Sequence, residues 1–309
     1  MAVAMTVDAL VGWPGAVFAR IGHPVTWLGR LVSLLDRSWN RSVDAPATRR
    51  IAGVAAALLV IGLCVGIGWI VQTVLSRGWS GVVLLGIGIL AWPMVALRSL
   101  HDHVAAVAQP LQSGNIDAAR LAVAQIVGRD PATLDEAGIA RAAIESLAEN
   151  ASDGIVAPVF WGALFGLPGI VGYKAINTLD SMIGHRSERH LYFGWAAARI
   201  DDIANFIPAR LTGFLFVLVS SRFSEALSCM VRDASRHRSV NAGWPEAAMA
   251  GALGVRLSGP RSYHGQVIVE PWLNETARDP QAADLREGLR LYIRAMLVLG
   301  VLLVALALA

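Results

Sequence analysis

The sequence has 309 residues, of which 55% are hydrophobic and only 16% charged, where a soluble domain carries about a quarter charged residues. Its mean hydropathy is +0.53. A formal net charge of +3, with basic residues scattered rather than interleaved with aromatics, excludes a nucleic-acid-binding surface and leaves the lipid bilayer as the expected partner.

The opening stretch is interrupted by Asp8 and Pro14, so no removable signal is expected and insertion falls to the spans themselves. His23, followed by Pro24, reads from the residues alone as a helix cap or packing residue. Residues 51–75 carry no charge and are long enough to cross a hydrocarbon core that needs about 20 helical residues. After a turn at Ser76, Arg77 and Gly78, residues 79–97 are again uncharged, with Pro93 tolerated as a kink. Arg30, Arg37, Arg41, Arg49 and Arg50 precede this hairpin and Arg77 alone joins its arms, which places the N-terminal region in the cytoplasm.

Residues 109–150 read as soluble amphipathic helices, with one helix over 116–127. They break at 128–131, where Arg129 and Asp130 precede Pro131 as a helix-stop pair. The apolar stretches 155–173, broken by Pro158 and Pro168, and 206–221, containing Pro208 and Arg210, are expected as half-spans, re-entrant segments or core helices. Residues 260–280 read as a long loop, and 292–309 as a terminal membrane helix. Strand alternation is absent throughout, so the fold class is all-α: a polytopic helical membrane protein, with 1–309 one membrane domain. Cys64 and Cys229 have neither disulfide nor metal-ligand spacing.

Three acid and amide clusters lie at borders of apolar runs. Glu145, Glu149 and Asp153 recur every four residues, which on a helix sets them along one face, with Asn150 beside them. Asp153 alone could be an N-cap; the triple is the pattern expected of an edge for a divalent cation or an ammonium group. Asn177 and Asp180 form the second cluster, and Asp201, Asp202 and Asn205 the third. Arg199 and Arg210 flank the third, which leaves open mutual salt bridges or a phosphate site. Acids and arginines together suit Mg²⁺ with phosphate, because Mg²⁺ takes one or two carboxylates plus phosphate oxygens.

The chain resembles the CobD/CbiB family, adenosylcobinamide-phosphate synthases of cobalamin (vitamin B12) biosynthesis. The resemblance rests on HPVTWLG at 23–29, GRD at 128–130, ESLAENASDGIVAPVFW at 145–161 and YKAINTLDSMIGHR at 173–186. It continues in FGWAAARIDDIANFIPARLTG at 193–213 and NAGWPEAAMAGALGVRLSGPRSYHG at 241–265. The first membrane hairpin and the terminal helix match by hydropathy only. The chain departs from the family at 12–14, where an acid often comes after the glycine, and at 151–152.

The resemblance implies a C–N ligase in the inner membrane, with its active site on the cytoplasmic side. A propionate of adenosylcobyric acid, a corrin, would condense with (R)-1-aminopropan-2-ol or its phosphate, using ATP and Mg²⁺. No P-loop is present, so ATP would be held in another way. On this reading Glu149, Asp153, Asp201 and Asp202 hold the metal, Glu145 takes the amine's proton, Asn150, Asn177 and Asn205 orient the reactants, and Asp180 is a further catalytic candidate. His23, Lys174, Arg199, Arg210 and Tyr263 contact substrate, Tyr263 from a loop that could cover the corrin. Other membrane enzymes of late cobalamin synthesis are the expected protein partners. The rivals are a Mg²⁺-dependent transferase acting on a diphosphate- or nucleotide-linked lipid, for which the paired DxxxD spacing is missing, and a membrane sensor or transporter.

Overall fold

The computed structural model describes residues 1–78, 80–127, 131, 133–263 and 266–308, without the side chains of 80, 261–263 and 266–268. The Arg129–Asp130 pair therefore lies outside the described residues, as do single residues of the expected spans 79–97 and 292–309. Helix dominates, as the composition requires. α1 (Ala2–Val11) and α2 (Gly15–Ile21) end at Gly12 and Gly22, whose φ of 62° and 72° suit residues without a Cβ. α3 (Pro24–Trp39) starts with proline at its first position, and the His23 side chain accepts from the Val25 amide. Residues Ala2–Val11 and Gly15–Trp39 meet at 104°, the geometry of a broken span or re-entrant loop.

α4 (Pro46–Leu75) is the longest helix, about 45 Å at 1.5 Å per residue, against a hydrocarbon core of about 30 Å. α5 (Ser80–Ala91) stops where Pro93 forces a 3₁₀ turn over Trp92–Met94. α6 (Leu97–Gln112), α7 (Ile116–Val123) and α8 (Glu136–Ala151) come next, α7 capped by Asn115 and α8 by Asp135. A π-helical turn, Ser152–Val156, separates α8 from α9 (Ala157–Phe165). Then come α10 (Leu167–Ile183), α11 (Trp195–Ala204), α12 (Phe206–Val219), α13 (Phe223–Asp233) and α14 (Gly243–Leu253). α15 (Ala282–Leu308) closes the chain. Pro46–Leu75, Gly81–Gln112 and Ala282–Leu308 are each long and apolar enough to cross a bilayer, which makes this an all-α, polytopic membrane protein.

Three boundaries differ from the sequence reading. The 116–127 helix stops at Val123. The terminal helix starts ten residues before 292, because an amphipathic segment with Asp284, Arg286, Glu287 and Arg290 extends the apolar run without a break. The 260–280 loop is pinned by two short antiparallel ribbons: β1 (Leu257–Ser258) with β4 (Trp272–Leu273), and β2 (Arg261–Tyr263) with β3 (Gln266–Ile268). Strands of two or three residues are too short for alternation to register.

The chain divides into two compact units, 1–96 with 157–205, and 97–156 with 206–309. In the first, α10 packs along α4 through small residues. A Cβ on Gly68 would stand 2.9 Å from Pro168, and one on Gly172 2.7 Å from Val65, so both contacts need glycine. Val32, Ala57, Val60, Leu179, Ile183 and Phe193 form its buried centre. Asp36 receives Arg189 and His190 and ties the segment before α11 to the end of α3.

In the second unit α8 is the hub, buried along most of its length and packed by α6, α7, α14 and α15. Tyr292 of α15 donates to the Leu97 carbonyl at 2.7 Å. Asp279 accepts both Arg256 (2.9 and 2.7 Å) and Arg141, and each guanidinium also lies over the Trp272 ring. Asp233, fully buried, accepts Arg232 and the Asn274 amide. These carboxylates fix both ends of the ribbon segment to the helices.

Candidate active site

Within the first unit, α10 carries Lys174, Asn177 and Asp180. Asp180 stands one turn before the helix end, its carboxylate so close over Gly184 that a Cβ there would lie 1.9 Å from Oδ1. Burial lifts the Asp180 carboxyl above the usual carboxylate range; the His185 charge opposes the lift and the Asp202 carboxylate adds to it. Two acids of different clusters, Asp180 and Asp202, are thus brought within electrostatic reach. Asp202 also accepts from Arg199 at 3.2 Å, so that pair is a salt bridge on the exposed side of α11.

On its inner side α11 carries a polar chain. The Tyr173 hydroxyl donates to Asn205 Oδ1 at 2.8 Å, and Asn205 Nδ2 donates to Asp201 Oδ2 at 2.9 Å. The direction of both bonds fixes the Asn205 amide and leaves Asp201 Oδ2 an acceptor. His23 caps α3 through Nδ1, 3.2 Å from the Val25 amide, and Lys174 lies within electrostatic reach of its ring.

Within the second unit the acidic stripe is not uniform. Glu145 is buried, and its Oε1 accepts the Ser258 amide at 2.7 Å. Glu149 and Asn150 are exposed, and Asn150 Nδ2 donates to the Ser146 carbonyl at 2.9 Å. The π turn begins at Ser152, so the interval from Glu149 to Asp153 is not a regular α-helical turn. One residue too many in a turn rotates the side chains beyond it around the helix axis, a feature often found at functional sites. Arg210 is held by the Phe206 carbonyl at 2.5 Å and lies over the Phe206 and Trp244 rings, 3.5 and 4.5 Å from their centres. The Tyr263 side chain lies outside the described residues, though its backbone is in β2.

Each unit thus holds two of the four expected metal ligands: Asp201 and Asp202 in the first, Glu149 and Asp153 in the second. Among the described residues, no group of three or more His, Cys, Asp or Glu side chains is placed to hold a metal ion. The donor chemistry still suits Mg²⁺, which needs only one or two carboxylates besides phosphate oxygens and water, and the raised Asp180 beside Asp202 is a pair that a cation would relieve. Tyr173 and His185 were missed by cluster counting. Both lie inside the 173–186 block, and a tyrosine next to Lys174 in an apolar run was the available signal.

The family model described as CobD/Cbib protein matches residues 1–292. A cobalamin biosynthesis protein CobD of Rhodobacter capsulatus is 62% identical over 308 residues, covering 98% of this chain and 96% of its own length. A protein of the same name from Brucella suis is 45% identical over 312 residues, covering 99% and 95%. Another from Rhizobium meliloti is 43% identical, covering 92% and 88%. No solved structure matches the chain. With a family match over nearly its whole length and relatives aligned end to end, the chain belongs to the CobD/CbiB family of cobalamin biosynthesis proteins.

Proposed function

We propose that the chain joins a propionate of adenosylcobyric acid to (R)-1-aminopropan-2-ol or its phosphate, giving adenosylcobinamide or its phosphate. Membership of the CobD/CbiB family over residues 1–292 is the observation that carries this reading. The propionate carboxylate takes the terminal phosphoryl group of ATP, forming an acyl phosphate and ADP. The amine nitrogen then attacks the acyl carbon, phosphate leaves, and the nitrogen loses a proton. When bound, Mg²⁺ neutralises charge on the transferring phosphoryl group.

Asp180 and Asp202 are the carboxylates we assign to the ion, with Asp201 held by Asn205 on the same helix as Asp202. Glu149, exposed one turn after Glu145, holds the ammonium form of the amine and accepts its proton. Glu145 acts on position instead, because one of its oxygens holds the Ser258 amide. Arg210, fixed between two rings, presents a guanidinium to phosphate oxygens, while Lys174, on the same helix as Asn177 and Asp180, and His23, within its electrostatic reach, are the substrate contacts we assign. With Arg30, Arg37, Arg41, Arg49 and Arg50 ahead of the apolar run of α4 and Arg77 alone after it, we assign this chemistry to the cytoplasmic side of the membrane.

Purified protein in detergent, given adenosylcobyric acid, aminopropanol or its phosphate, ATP and Mg²⁺, is expected to yield a corrin heavier by the condensed amine. Asp202→Asn is expected to form that product at a small residual rate while remaining folded. A wild-type preparation that leaves the corrin mass unchanged sinks the reading.

A further inference from the structure

Beside α4, the first unit contains a groove of about 460 Å³ that the chemistry above does not use. Its walls come from α4, α9, α10 and α11, with Ile61, Val65, Phe165, Ile176 and Ile203 among them. The two polar groups in its aromatic lining already have partners. Trp161 Nε1 donates to the Ala204 carbonyl at 3.0 Å, and the Tyr173 hydroxyl donates to Asn205. A nucleotide, an amino alcohol or a corrin amide would lose its water here and gain no hydrogen bond. Only a hydrocarbon suits the lining.

The groove opens outward, since Val65 is 38% and Ile203 76% exposed. Its depth indicates the source of the hydrocarbon. Val65 lies ten residues before Leu75, the last residue of α4, which is about 15 Å along a helix and half of a hydrocarbon core of about 30 Å. With Leu75 at the edge of the core, the groove sits near mid-bilayer, within reach of an acyl chain anchored at the C-terminal end of α4. Arg77, just beyond that end, is the only charged residue between Arg50 and Arg98. A lone cation at this level complements a lipid phosphate.

We propose that the groove holds one acyl chain of a phospholipid from the leaflet at the C-terminal end of α4, with the lipid phosphate at Arg77. The bound chain covers apolar side chains that the helices leave unpaired, and so serves as part of the packing of α4, α9, α10 and α11.

Native mass spectrometry of the protein after extensive detergent washing tests this, with phosphatidylglycerol as the added probe. The wild type is expected to retain one phospholipid mass. Ile176→Trp fills the groove, and its lipid-bound fraction is expected to fall at least about tenfold, equivalent to losing roughly two buried methylenes. Ile176→Val leaves the groove open and is expected to retain the lipid, which separates loss of the site from loss of the fold. Arg77→Gln is expected to weaken phosphatidylglycerol retention while leaving the groove intact. No retained lipid in the wild type, or equal retention in the wild type and Ile176→Trp, overturns the proposal; unchanged retention in Arg77→Gln overturns the headgroup assignment.

Discussion

Asp180 is the residue whose environment says most about chemistry. Burial raises its carboxyl, and the Asp202 carboxylate raises it further against the opposing His185 charge. A raised carboxyl takes up a proton at a pH where an ordinary aspartate is still ionised. Activity that needs ionised Asp180 is therefore lost, as pH falls, earlier than an unperturbed aspartate would dictate. Asp202→Glu keeps a negative charge in place and is expected to hold the acid limb of the pH–rate profile near its wild-type position. Asp202→Asn removes the repulsion, and the limb of its residual activity is expected to move to lower pH. An acid limb that stays put in Asp202→Asn shows that Asp180 is not the group that titrates. The sequence carried Asp180 and Asp202 as members of two separate clusters, because spacing along one helix says nothing about which helices meet. Their pairing, like the bond from Tyr173 through Asn205 to Asp201, is a product of tertiary packing.

The lengths and apolar character of the elements were legible because a bilayer demands them: the membrane portions of α4 and α15 appear as the uncharged runs 51–75 and 295–308, and Pro93 as a break. The π turn at Ser152–Val156 was not, since a four-residue spacing of acids looks the same whether the turn is α or π. Nor was the ribbon of β1 and β4, whose stability comes from side chains elsewhere. Ser258 has φ +62°, unusual for a residue with a Cβ, and its amide is held by Glu145. Glu145→Ala deletes a charged acceptor in a buried site and is expected to destabilise the fold by about 2 kcal/mol. Ser258→Gly keeps the amide bond while removing a left-handed strain of about 1 kcal/mol, so it is expected to move the other way. Thermal unfolding of both variants in one detergent reads the two signs. A neutral Glu145→Ala would mean that the ribbon is held by Asp279 and Asp233 alone.

For the whole molecule, orientation in the bilayer is set by charge placed on a helical hairpin. Arg41, Arg49 and Arg50 gather at the start of α4, and Arg49 and Arg50 lie over the Tyr192 and Trp195 rings, an arrangement suited to a membrane interface. At the other end of α4 only Arg77 is charged. The Arg-rich end is expected to face the cytoplasm, and single cysteines introduced at either end of α4 report on this directly. The native thiols give little interference. Cys229 is buried, and burial together with the Asp233 carboxylate pushes its thiol up to about 12, so almost no thiolate is present at neutral pH. Cys64, half-buried on α4, is replaced by alanine for the experiment. In intact cells a membrane-impermeant maleimide is expected to label Ser76→Cys and to reach Ser42→Cys only after lysis. The opposite pattern would put the arginine cluster outside and, with it, the end of α10 that carries Asp180, which packs through Ile183, together with Phe193 beyond it, against the first turns of α4, away from cytoplasmic ATP.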